Sequence, residues 1–309
     1  MRPFKSAGGV SHSLMAQSND IWTIKAALDW TMGYLERKGD ENPRVSTQKL
    51  IAHACGLSRI ELYTNLDRPL SLEERDRLRD YVKRRAGGEP LQYIIGEVGF
   101  RFLSIEVARG VLIPRPETEV LVSELMTNLP DEEEGAVLRI VDVGTGSGCI
   151  ASSIASERLD THLYALDIAP EALALCEKNA IRCGVDDRVT VIESDMLSGL
   201  DEALIGEVDA IISNPPYIPT SLIDTIPHEV AGFEPHLALD GGADGLDAFR
   251  TLLDQAWAYL KPKGVLAVEL FEKSLDEASQ LAYEKGFSDV RIAYDLTERP
   301  RILVARCAK

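Results

Sequence analysis

The sequence predicts an α/β fold, a Rossmann-like sheet of seven mostly parallel strands preceded by a small all-helical domain. Residues 20–88 show helical periodicity without strand-like alternation, and residues 112–309 alternate between apolar strand-like runs and helical patterns. Such alternation is typical of a parallel sheet with helices on both faces. The last two strand-like runs are joined by only a short link, so they should pair antiparallel at the end of the sheet.

The amino-terminal part divides into a lead-in and a helical domain. Residues 1–19 lack the apolar core of a secretory signal, and we expect a flexible lead-in there. In the helical domain, residues 20–88, Pro43 suits a helix start. Ser71 and Glu74 have the spacing of a capping box and open a highly charged helix. This domain is too small to form a catalytic core by itself.

A connector follows the helical domain. Residues 89–111 contain two short alternating runs, Tyr93–Ile95 and Phe100–Val107, broken by Gly96 and Gly99. Alternation with glycine between the runs predicts a β-hairpin. We therefore expect a hairpin that joins the helical domain to the α/β domain.

The α/β domain contains strand-like apolar runs separated by helical patterns. The predicted strands are Leu138–Val143, His162–Leu166, Val189–Ile192, Ala210–Ser213, Val265–Leu270, Asp289–Tyr294 and Ile302–Ala305. Two of the helical patterns, Ala169–Cys183 and Ser274–Lys285, are each followed by a glycine, as helix ends commonly are.

Charge and cysteine spacing weigh against several classes of function. With 33 basic and 50 acidic side chains the net charge is −17, whereas a protein that grips a duplex has a basic footprint. We therefore expect a protein or small-molecule substrate and no stable nucleic-acid binding. The five cysteines include no CxxC pair, so we expect no zinc site, no other metal and no disulfide framework. No apolar run reaches the roughly 20 residues of a membrane span, so no membrane association is expected.

A glycine-rich turn follows the first strand of the α/β domain. Ile140–Val143 has the pattern of a buried strand, and a helix then opens with Gly144, Thr145, Gly146, Ser147 and Gly148. Glycines there permit positive φ and let a ligand approach the backbone at a helix N-terminus. Asp167 ends the next strand, where a carboxylate can accept both hydroxyls of a ribose. These residues together predict a nucleotide-like cofactor.

Two cofactors fit such a turn, NAD and S-adenosyl-L-methionine. The G-x-G-x-G spacing lacks a glycine three residues further on, so it suits a pyrophosphate less well and favours S-adenosyl-L-methionine. After the third strand, Asp195 could accept the exocyclic amine of adenine. Asp195 could equally cap a helix that begins at Met196, and the two roles can coexist.

The residues Asn214, Pro215, Pro216 and Tyr217 follow the fourth strand, at the sheet edge where open α/β folds bind ligands. The prolines fix φ and remove two backbone donors, which leaves a rigid turn. The Asn214 side-chain carbonyl and the Pro215 backbone carbonyl can then accept both hydrogens of an NH₂ group. Tyr217 offers a flat face on which a planar amide or base can stack. A simple proline turn after a strand is the alternative interpretation.

This arrangement suits a specific chemical problem. The nitrogen of a carboxamide, or N6 of adenine, is a poor nucleophile because its lone pair is delocalised. Two acceptors that hold its hydrogens favour a lone pair directed at a methyl donor, so orientation and electrostatics can supply catalysis without a strong base. We take Asn214, Pro215 and Tyr217 as candidate catalytic residues, and these three with Pro216 as the substrate pocket.

Several separated segments resemble one known family. The GTGSG and NPPY motifs are similar to those of the amino-group methyltransferases. With Gly88–Ile94, Leu112–Glu119 and Phe233–Leu246, they resemble the release factor glutamine methyltransferases (the HemK/PrmC family) from about residue 20 to the end. The resemblance implies a class I methyltransferase fold and S-adenosyl-L-methionine as cofactor. It also implies methylation of the glutamine N5 in the GGQ motif of peptide chain release factors, with the helical domain helping to hold that partner.

The resemblance also implies roles for individual residues. Gly144 to Gly148 and Asp167 resemble the family's cofactor contacts, Asp195 and Met196 lie near the adenine, and Asn214 to Tyr217 form the glutamine pocket, with Asn214 also touching the cofactor. Three positions depart from the family pattern. Met196 replaces an aromatic residue, Glu269 lacks the glycine that often follows it, and Glu298 stands where glycine is common.

Three further residues carry weaker signals. Arg115 and Glu117 lie in a proline-framed loop and either shape the mouth of the active site or form an ordinary ion-paired loop. His236 has no partner at catalytic spacing, so we expect no catalytic role for it.

Other functions stay open at this point. A ribosomal-protein glutamine methyltransferase or a nucleic-acid adenine-N6 methyltransferase would use the same NPPY chemistry, the latter on a flipped base. A non-catalytic cofactor-binding module or an NAD oxidoreductase would share only the glycine turn. The acidic charge weighs against nucleic acid, and the segment Leu112–Glu119 favours release factors over ribosomal protein. We therefore expect a monomeric cytoplasmic enzyme whose partner is a peptide chain release factor.

Overall fold

The computed structural model describes residues 21–131 and 135–309. The chain forms two compact units, one ending at Ile95 and one beginning at Gly96. The lead-in predicted for residues 1–19 lies outside the described residues. Within the described ranges, no helix is both long enough and apolar enough to cross a membrane.

The first unit is helical, as predicted. Its helices are α1 (Ile24–Arg37), α2 (Pro43–Cys55), α3 (Arg59–Thr64), α4 (Leu72–Ala86) and α5 (Leu91–Ile95). Pro43 is the first residue of α2. The capping box is confirmed, because Glu74 N donates to Ser71 Oγ at 3.1 Å and Ser71 N donates to Glu74 Oε2 at 2.8 Å. Fully buried apolar residues such as Ile24, Leu50 and Leu78 form its core.

The prediction of a strand at Tyr93–Ile95 was wrong, because these residues belong to α5. Leu91 and Ile94 are three residues apart, so on a helix they share one face, and both are buried in the helical core. A run this short fits a strand or a helix equally well. The helical unit therefore continues to Ile95 instead of ending at residue 88.

The predicted hairpin does occur, but it begins later in the chain. Strands β1 (Glu97–Phe100) and β2 (Leu103–Glu106) pair antiparallel, and Phe100 lies opposite Leu103. Arg101 occupies the turn with φ +50°. Phe100 and Ile105 are buried in the core of the second unit.

The second unit contains one sheet of seven strands. They are β3 (Leu138–Val143), β4 (Thr161–Asp167), β5 (Val189–Glu193), β6 (Val208–Ser213), β7 (Leu260–Glu269), β8 (Phe287–Tyr294) and β9 (Pro300–Cys307). Their order is β5-β4-β3-β6-β7-β9-β8, with β9 antiparallel to both β7 and β8 and the other pairs parallel. The predicted strands and the terminal antiparallel hairpin are therefore confirmed.

Helices cover both faces of this sheet. They are α6 (Pro116–Met126), α7 (Cys149–Glu157), α8 (Pro170–Cys183), α10 (Asp247–Tyr259) and α11 (Leu275–Lys285), whereas the short α9 (His228–Ala231) has no buried residue. Alternate strand residues point to opposite faces. Ile140 and Ala210 pack in the core with α6, α7 and α8, whereas Val141 and Ile211 pack in the core with α10 and α11.

Three details follow the sequence pattern closely. Helices α8 and α11 are each followed by a glycine in the left-handed conformation, Gly184 and Gly286. Cys149 and Cys176 are buried in the core, as expected for small apolar residues. Glu298 has φ +62° in the turn between β8 and β9, which explains why glycine suits that position.

Gly148 and Gly184 offer a matched pair for a stability measurement. Both have positive φ, but a Cβ at Gly148 would lie 2.6 Å from Cys176 Sγ, whereas a Cβ at Gly184 would meet nothing within 4 Å. Gly184→Ala should therefore cost only the backbone strain, about 1–2 kcal/mol. Gly148→Ala should cost about 1–3 kcal/mol more because it overpacks the core. Urea unfolding measures both, and equal losses would contradict the packing constraint at Gly148.

Candidate active site

The strand register brings the ends of four strands together. Val143 of β3 lies opposite Leu166 of β4 and Ser213 of β6, and Ser213 lies opposite Val268 of β7. The next residue along each strand therefore lies at the same carboxyl edge of the sheet; these residues are Gly144, Asp167, Asn214 and Glu269. Strands β4 and β5 lie on one side of β3, and β6 lies on its other side, so the order of the strands reverses at β3. Open α/β sheets form their ligand crevice at such a point.

A cavity of about 220 Å³ opens at this edge. Most of the predicted cofactor residues line it, namely Gly144, Thr145, Gly146, Ser147, Asp167, Asp195, Met196 and Asn214. Gly148 does not line it, because its α-carbon packs against Cys176 where α7 meets α8. The lining also contains apolar side chains that the sequence analysis did not select, among them Val111, Leu112, Ile168 and Leu237.

The glycine turn is held by the carboxylate of Asp167. Gly146 N donates to Asp167 Oδ2 at 2.9 Å, and Ala169 N donates to Asp167 Oδ1 at 3.0 Å. Each carboxylate oxygen can accept a further hydrogen bond, so Asp167 can anchor the turn and still bind two hydroxyls. Gly144 and Gly146 have φ values of +72° and +56°, which a side chain would strain. The turn therefore fits a ligand that bears vicinal hydroxyls.

A second carboxylate lies beneath the turn. Asp142 is fully buried, and its Oδ2 accepts from Thr145 Oγ1 at 2.6 Å and from Ala151 N at 3.2 Å. Its Oδ1 is buried and has no hydrogen-bond partner among the described residues. Burial raises the pKa of this carboxyl group to about 7. Asp142 thus ties the turn to the start of α7.

The segment after β5 forms a turn at the cavity. Asp195 is exposed and Met196 has φ +52°. No helix begins at Met196 in the described chain, so the alternative role of Asp195 as a helix cap was wrong. The Met196 carbonyl instead accepts from Ser194 Oγ at 2.7 Å. The Asp195 side chain therefore remains available to a ligand in the cavity.

Asn214 belongs to a chain of buried hydrogen bonds. Asn214 Nδ2 donates to Thr118 Oγ1 at 3.1 Å, and Thr118 Oγ1 donates to Glu269 Oε2 at 2.8 Å. Tyr217 OH donates to Glu269 Oε1 at 3.1 Å. Thr118 is 2% exposed and Glu269 is 1% exposed. Burial raises the pKa of Glu269 and also that of Tyr217.

Sequence reasoning gave Thr118 and Glu269 no role in the site. Thr118 was noted only within the family segment Leu112–Glu119, and Glu269 only for the missing glycine after it, yet they join the Asn-Pro-Pro-Tyr turn to α6 and β7. A signal was available for Glu269, because it ends a buried strand at the same sheet edge as Asn214. For Thr118 the sequence offers no such signal, because its contact depends on how α6 packs.

The Asn-Pro-Pro-Tyr turn divides between the cavity and the core. Asn214 and Pro216 line the cavity, whereas Pro215 is buried and Tyr217 is half-buried, and neither of these lines it. Gly241 packs against the turn from the other side, since a Cβ there would lie 2.7 Å from Tyr217 Cα. A Cβ at Gly245 would lie 2.4 Å from the Tyr217 carbonyl oxygen. The segment that contains Gly241 and Gly245 thus fixes the backbone of the Asn-Pro-Pro-Tyr turn.

The proline-framed loop borders the cavity and is also ion-paired. Arg115 lines the cavity, and its Nη2 donates to Glu234 Oε1 at 2.5 Å. Glu234 is buried, and its Oε2 accepts from Ile113 N at 3.1 Å. Both interpretations of Arg115 therefore hold, whereas Glu117 does not line the cavity. His236 is exposed and lies outside the lining, with Nε2 3.9 Å from Asp240 Oδ2.

Two family models match separate parts of the chain. The PrmC N-terminal domain matches residues 26–96, and the methyltransferase small domain matches residues 116–226. The first match covers the helical unit, and the second covers the glycine turn and the Asn-Pro-Pro-Tyr turn.

Curated relatives match nearly the whole chain. The release factor glutamine methyltransferase of Geobacter sulfurreducens is 41% identical, over 94% of this chain and 99% of its own length. The protein of the same name from Rhodopirellula baltica is 39% identical, over 93% of this chain and 97% of its own length. The protein of the same name from Moorella thermoacetica is 38% identical, over 92% of this chain and 98% of its own length.

Solved structures share the fold of the second unit. The hMettl16 catalytic domain in complex with MAT2A 3'UTR hairpin 6 aligns with a TM-score of 0.53 at 17% identity, covering 67% of this chain and 76% of that one. The delta-N METTL16 methyltransferase domain aligns with a TM-score of 0.50 at 16% identity, covering 64% and 85%. At such identities the likeness shows the fold alone, and the predicted class I methyltransferase fold is confirmed.

Asp167→Ala tests the hydroxyl-binding role of this carboxylate. Loss of hydrogen bonds to a charged group costs about 1.5–3 kcal/mol, so the Kd for S-adenosyl-L-methionine should rise about 10- to 100-fold in isothermal titration. Glu193→Ala is the matched control, because Glu193 lies opposite Asp167 on β5 but is exposed and outside the cavity lining. An unchanged Kd in Asp167→Ala would refute the role.

Gly241→Ala tests whether the glycine segment sets the position of the Asn-Pro-Pro-Tyr turn. The added Cβ would lie 2.7 Å from Tyr217 Cα and 2.8 Å from the Pro216 carbonyl oxygen, so the turn has to shift. A shift of about 1 Å can lower turnover about 100-fold. Gly99→Ala is the control, because a Cβ there meets nothing within 4 Å. Full methyl-transfer turnover in a folded Gly241→Ala protein would show that the contact is unimportant.

Proposed function

The chain belongs to the release factor glutamine methyltransferase family, and on that basis we propose that it methylates the glutamine of the GGQ motif in peptide chain release factors, at the side-chain amide nitrogen N5. The methyl donor is S-adenosyl-L-methionine. The observation that carries the proposal is the hydrogen bond from Asn214 Nδ2 to Thr118, because it leaves the Asn214 carbonyl oxygen as the atom that can face a substrate.

The residues of the cavity fit this cofactor. When bound, S-adenosyl-L-methionine supplies a methyl group on a positively charged sulfonium. Asp167 would bind the ribose hydroxyls, the left-handed Gly144 and Gly146 would let the cofactor approach the backbone, and Asp195 and Met196 would lie near the adenine. Acidic side chains also suit a ligand that carries positive charge.

Asn214 and Pro215 orient the acceptor nitrogen. A glutamine amide carries two N–H hydrogens and needs two acceptors. The Asn214 side-chain oxygen accepts one hydrogen and the Pro215 backbone carbonyl accepts the other, while Pro216 borders the pocket. The amide nitrogen is then held with its face toward the methyl group, and orientation supplies much of the rate.

Tyr217 contributes shape and not base catalysis. Its hydroxyl donates to Glu269, and burial raises its pKa, so it stays a neutral phenol at physiological pH. Its ring can flank a planar amide while the hydroxyl anchors it. The pocket therefore works by holding the amide, not by deprotonating it before transfer.

The partner of the enzyme and its location in the cell are also proposals. The helical unit matches the PrmC N-terminal domain, and we propose that it helps to hold the release factor. We also propose a cytoplasmic location, which action on a translation factor supports. The monomeric state and the absence of stable nucleic-acid binding stay predictions, the latter supported by the net charge of −17.

A methyl-transfer assay with tritiated S-adenosyl-L-methionine tests the function. The enzyme is offered a release factor, its GGQ Gln→Ala variant, ribosomal protein and DNA side by side. Label on the wild-type release factor alone is the expected result. Label on ribosomal protein or DNA would overturn the partner, and no label on any substrate would overturn the enzymatic activity.

Asn214→Ala should separate catalysis from cofactor binding. It removes an acceptor needed to orient the amide, so turnover should fall about 100-fold or more. The Kd for S-adenosyl-L-methionine, measured by titration, should stay close to that of the wild type, because Asp167 and the glycine turn remain. Full turnover in this variant would refute the mechanism.

A further inference from the structure

We propose that Thr118 and Glu269 are positioning residues that fix the orientation of the Asn214 amide, so that its oxygen and not its NH₂ group faces the substrate nitrogen. The inference rests on the proposed function, since it concerns how the same pocket holds a glutamine amide. What it adds is which group donates and which accepts in the two hydrogen bonds that link Asn214 to Thr118 and Thr118 to Glu269.

A carboxamide has nearly the same shape in its two flipped orientations. One orientation presents an acceptor to the pocket and the other presents two donors. A substrate NH₂ group also consists of donors, so a flipped Asn214 would place donors against donors. The pocket therefore requires something that selects one orientation, and the backbone of the turn cannot do so.

Glu269 determines which groups donate and which accept in these hydrogen bonds. An ionised carboxylate only accepts hydrogen bonds, and the two oxygens of Glu269 take hydrogens from Thr118 and Tyr217. Thr118 has a single hydroxyl hydrogen, which it gives to Glu269. The Thr118 oxygen can then only accept, so the group that meets it has to be the NH₂ of Asn214, at 3.1 Å. The Asn214 oxygen is thereby turned to the pocket.

Opposing influences act on the charge of Glu269, and on balance they raise its pKa. Burial raises the pKa of this carboxyl group, and the negative charge of Glu117 acts in the same direction. The hydrogen bonds from Thr118 and Tyr217 and the positive charge of Arg301 lower the pKa. The arrangement in which both neighbours donate to Glu269 is that of the ionised carboxylate.

Both residues stand on rigid elements. Thr118 lies in the first turn of α6, and Glu269 is the last residue of β7, whose neighbour β6 leads into Asn214. Thr118 borders the cavity, but Glu269 does not line it. Glu269 therefore acts on the reaction through Asn214 and Tyr217.

The first test compares kcat and KM across variants of the full chain with a release factor as substrate. Thr118→Val removes the hydroxyl, and Glu269→Gln keeps the shape but leaves one acceptor oxygen for the two hydroxyls of Thr118 and Tyr217, so that an NH₂ group meets one of them. Each should lower kcat about 100-fold, with KM for the release factor and Kd for S-adenosyl-L-methionine unchanged. Thr118→Ser keeps the hydroxyl and should retain wild-type kcat.

The control is Thr161→Val, which removes another buried hydroxyl from the same unit. Thr161 is 1% exposed, donates to the Arg158 carbonyl, and begins β4, about 20 Å along the strand from Asp167. It should leave kcat unchanged. Thr118→Val with the kcat of Thr161→Val would overturn the inference, as would a Thr118→Ser variant as slow as Thr118→Val.

A double-mutant cycle separates positioning from a structural role. If Thr118 acts through Asn214, the variant Thr118→Val with Asn214→Ala should be no slower than Asn214→Ala alone. Losses that multiply would contradict the inference. If thermal unfolding shows that Thr118→Val does not fold, the same cycle with Glu269→Gln decides the question. Failure of the wild-type enzyme to methylate the release factor would instead overturn the proposed function.

Discussion

The hydrogen bonds that converge on Glu269 constrain the whole substrate side of the site. A carboxylate buried to this degree needs partners, because an unpaired buried charge costs several kcal/mol. Thr118 and Tyr217 meet that need by donating to its two oxygens, and Asn214 donates in turn to Thr118. The hydrogen bonds that the buried Glu269 carboxylate requires thereby orient the Asn214 amide and anchor the Tyr217 ring. The Asn214 oxygen that this leaves unbonded is an acceptor of the kind that the proposed glutamine NH₂ substrate requires.

The sheet topology places the hydrogen bonds around Glu269 next to the glycine turn proposed to bind the cofactor. Strands β3 and β6 are parallel neighbours, so the glycine turn after Val143 and the substrate turn after Ser213 emerge at the same edge. Asp167 holds the first turn through Gly146, and Gly241 and Gly245 hold the second by close packing. The contacts that fix the second turn lie outside the cavity lining, whereas Asp167, which holds the first turn, lines the cavity itself. Rigid support of this kind suits a reaction that depends on orientation and not on a strong base.

Much of the fold and part of the site follow from the sequence. The buried strands were predictable because apolar, β-branched runs alternate with helical patterns and glycine stops. The helix α5 was missed because a five-residue run has too few turns to show a period. Gly148 was expected at the cofactor, yet Cys176 packs against it, a contact that depends on the approach of α8 to α7. Thr118 was noticed only within a family segment and Glu269 only for the missing glycine after it, because a hydrogen bond between residues 151 positions apart is visible only after folding.

A crystal structure of a substrate complex would show whether the buried hydrogen bonds turn the Asn214 oxygen toward the glutamine amide. The enzyme would be crystallised with S-adenosylhomocysteine and a release factor that carries its unmethylated GGQ glutamine. The glutamine amide nitrogen should lie within about 2.7–3.2 Å of Asn214 Oδ1, with Asn214 Nδ2 still bound to Thr118. A glutamine nitrogen beyond hydrogen-bond reach of Asn214, or an Asn214 amide turned away from Thr118, would contradict it.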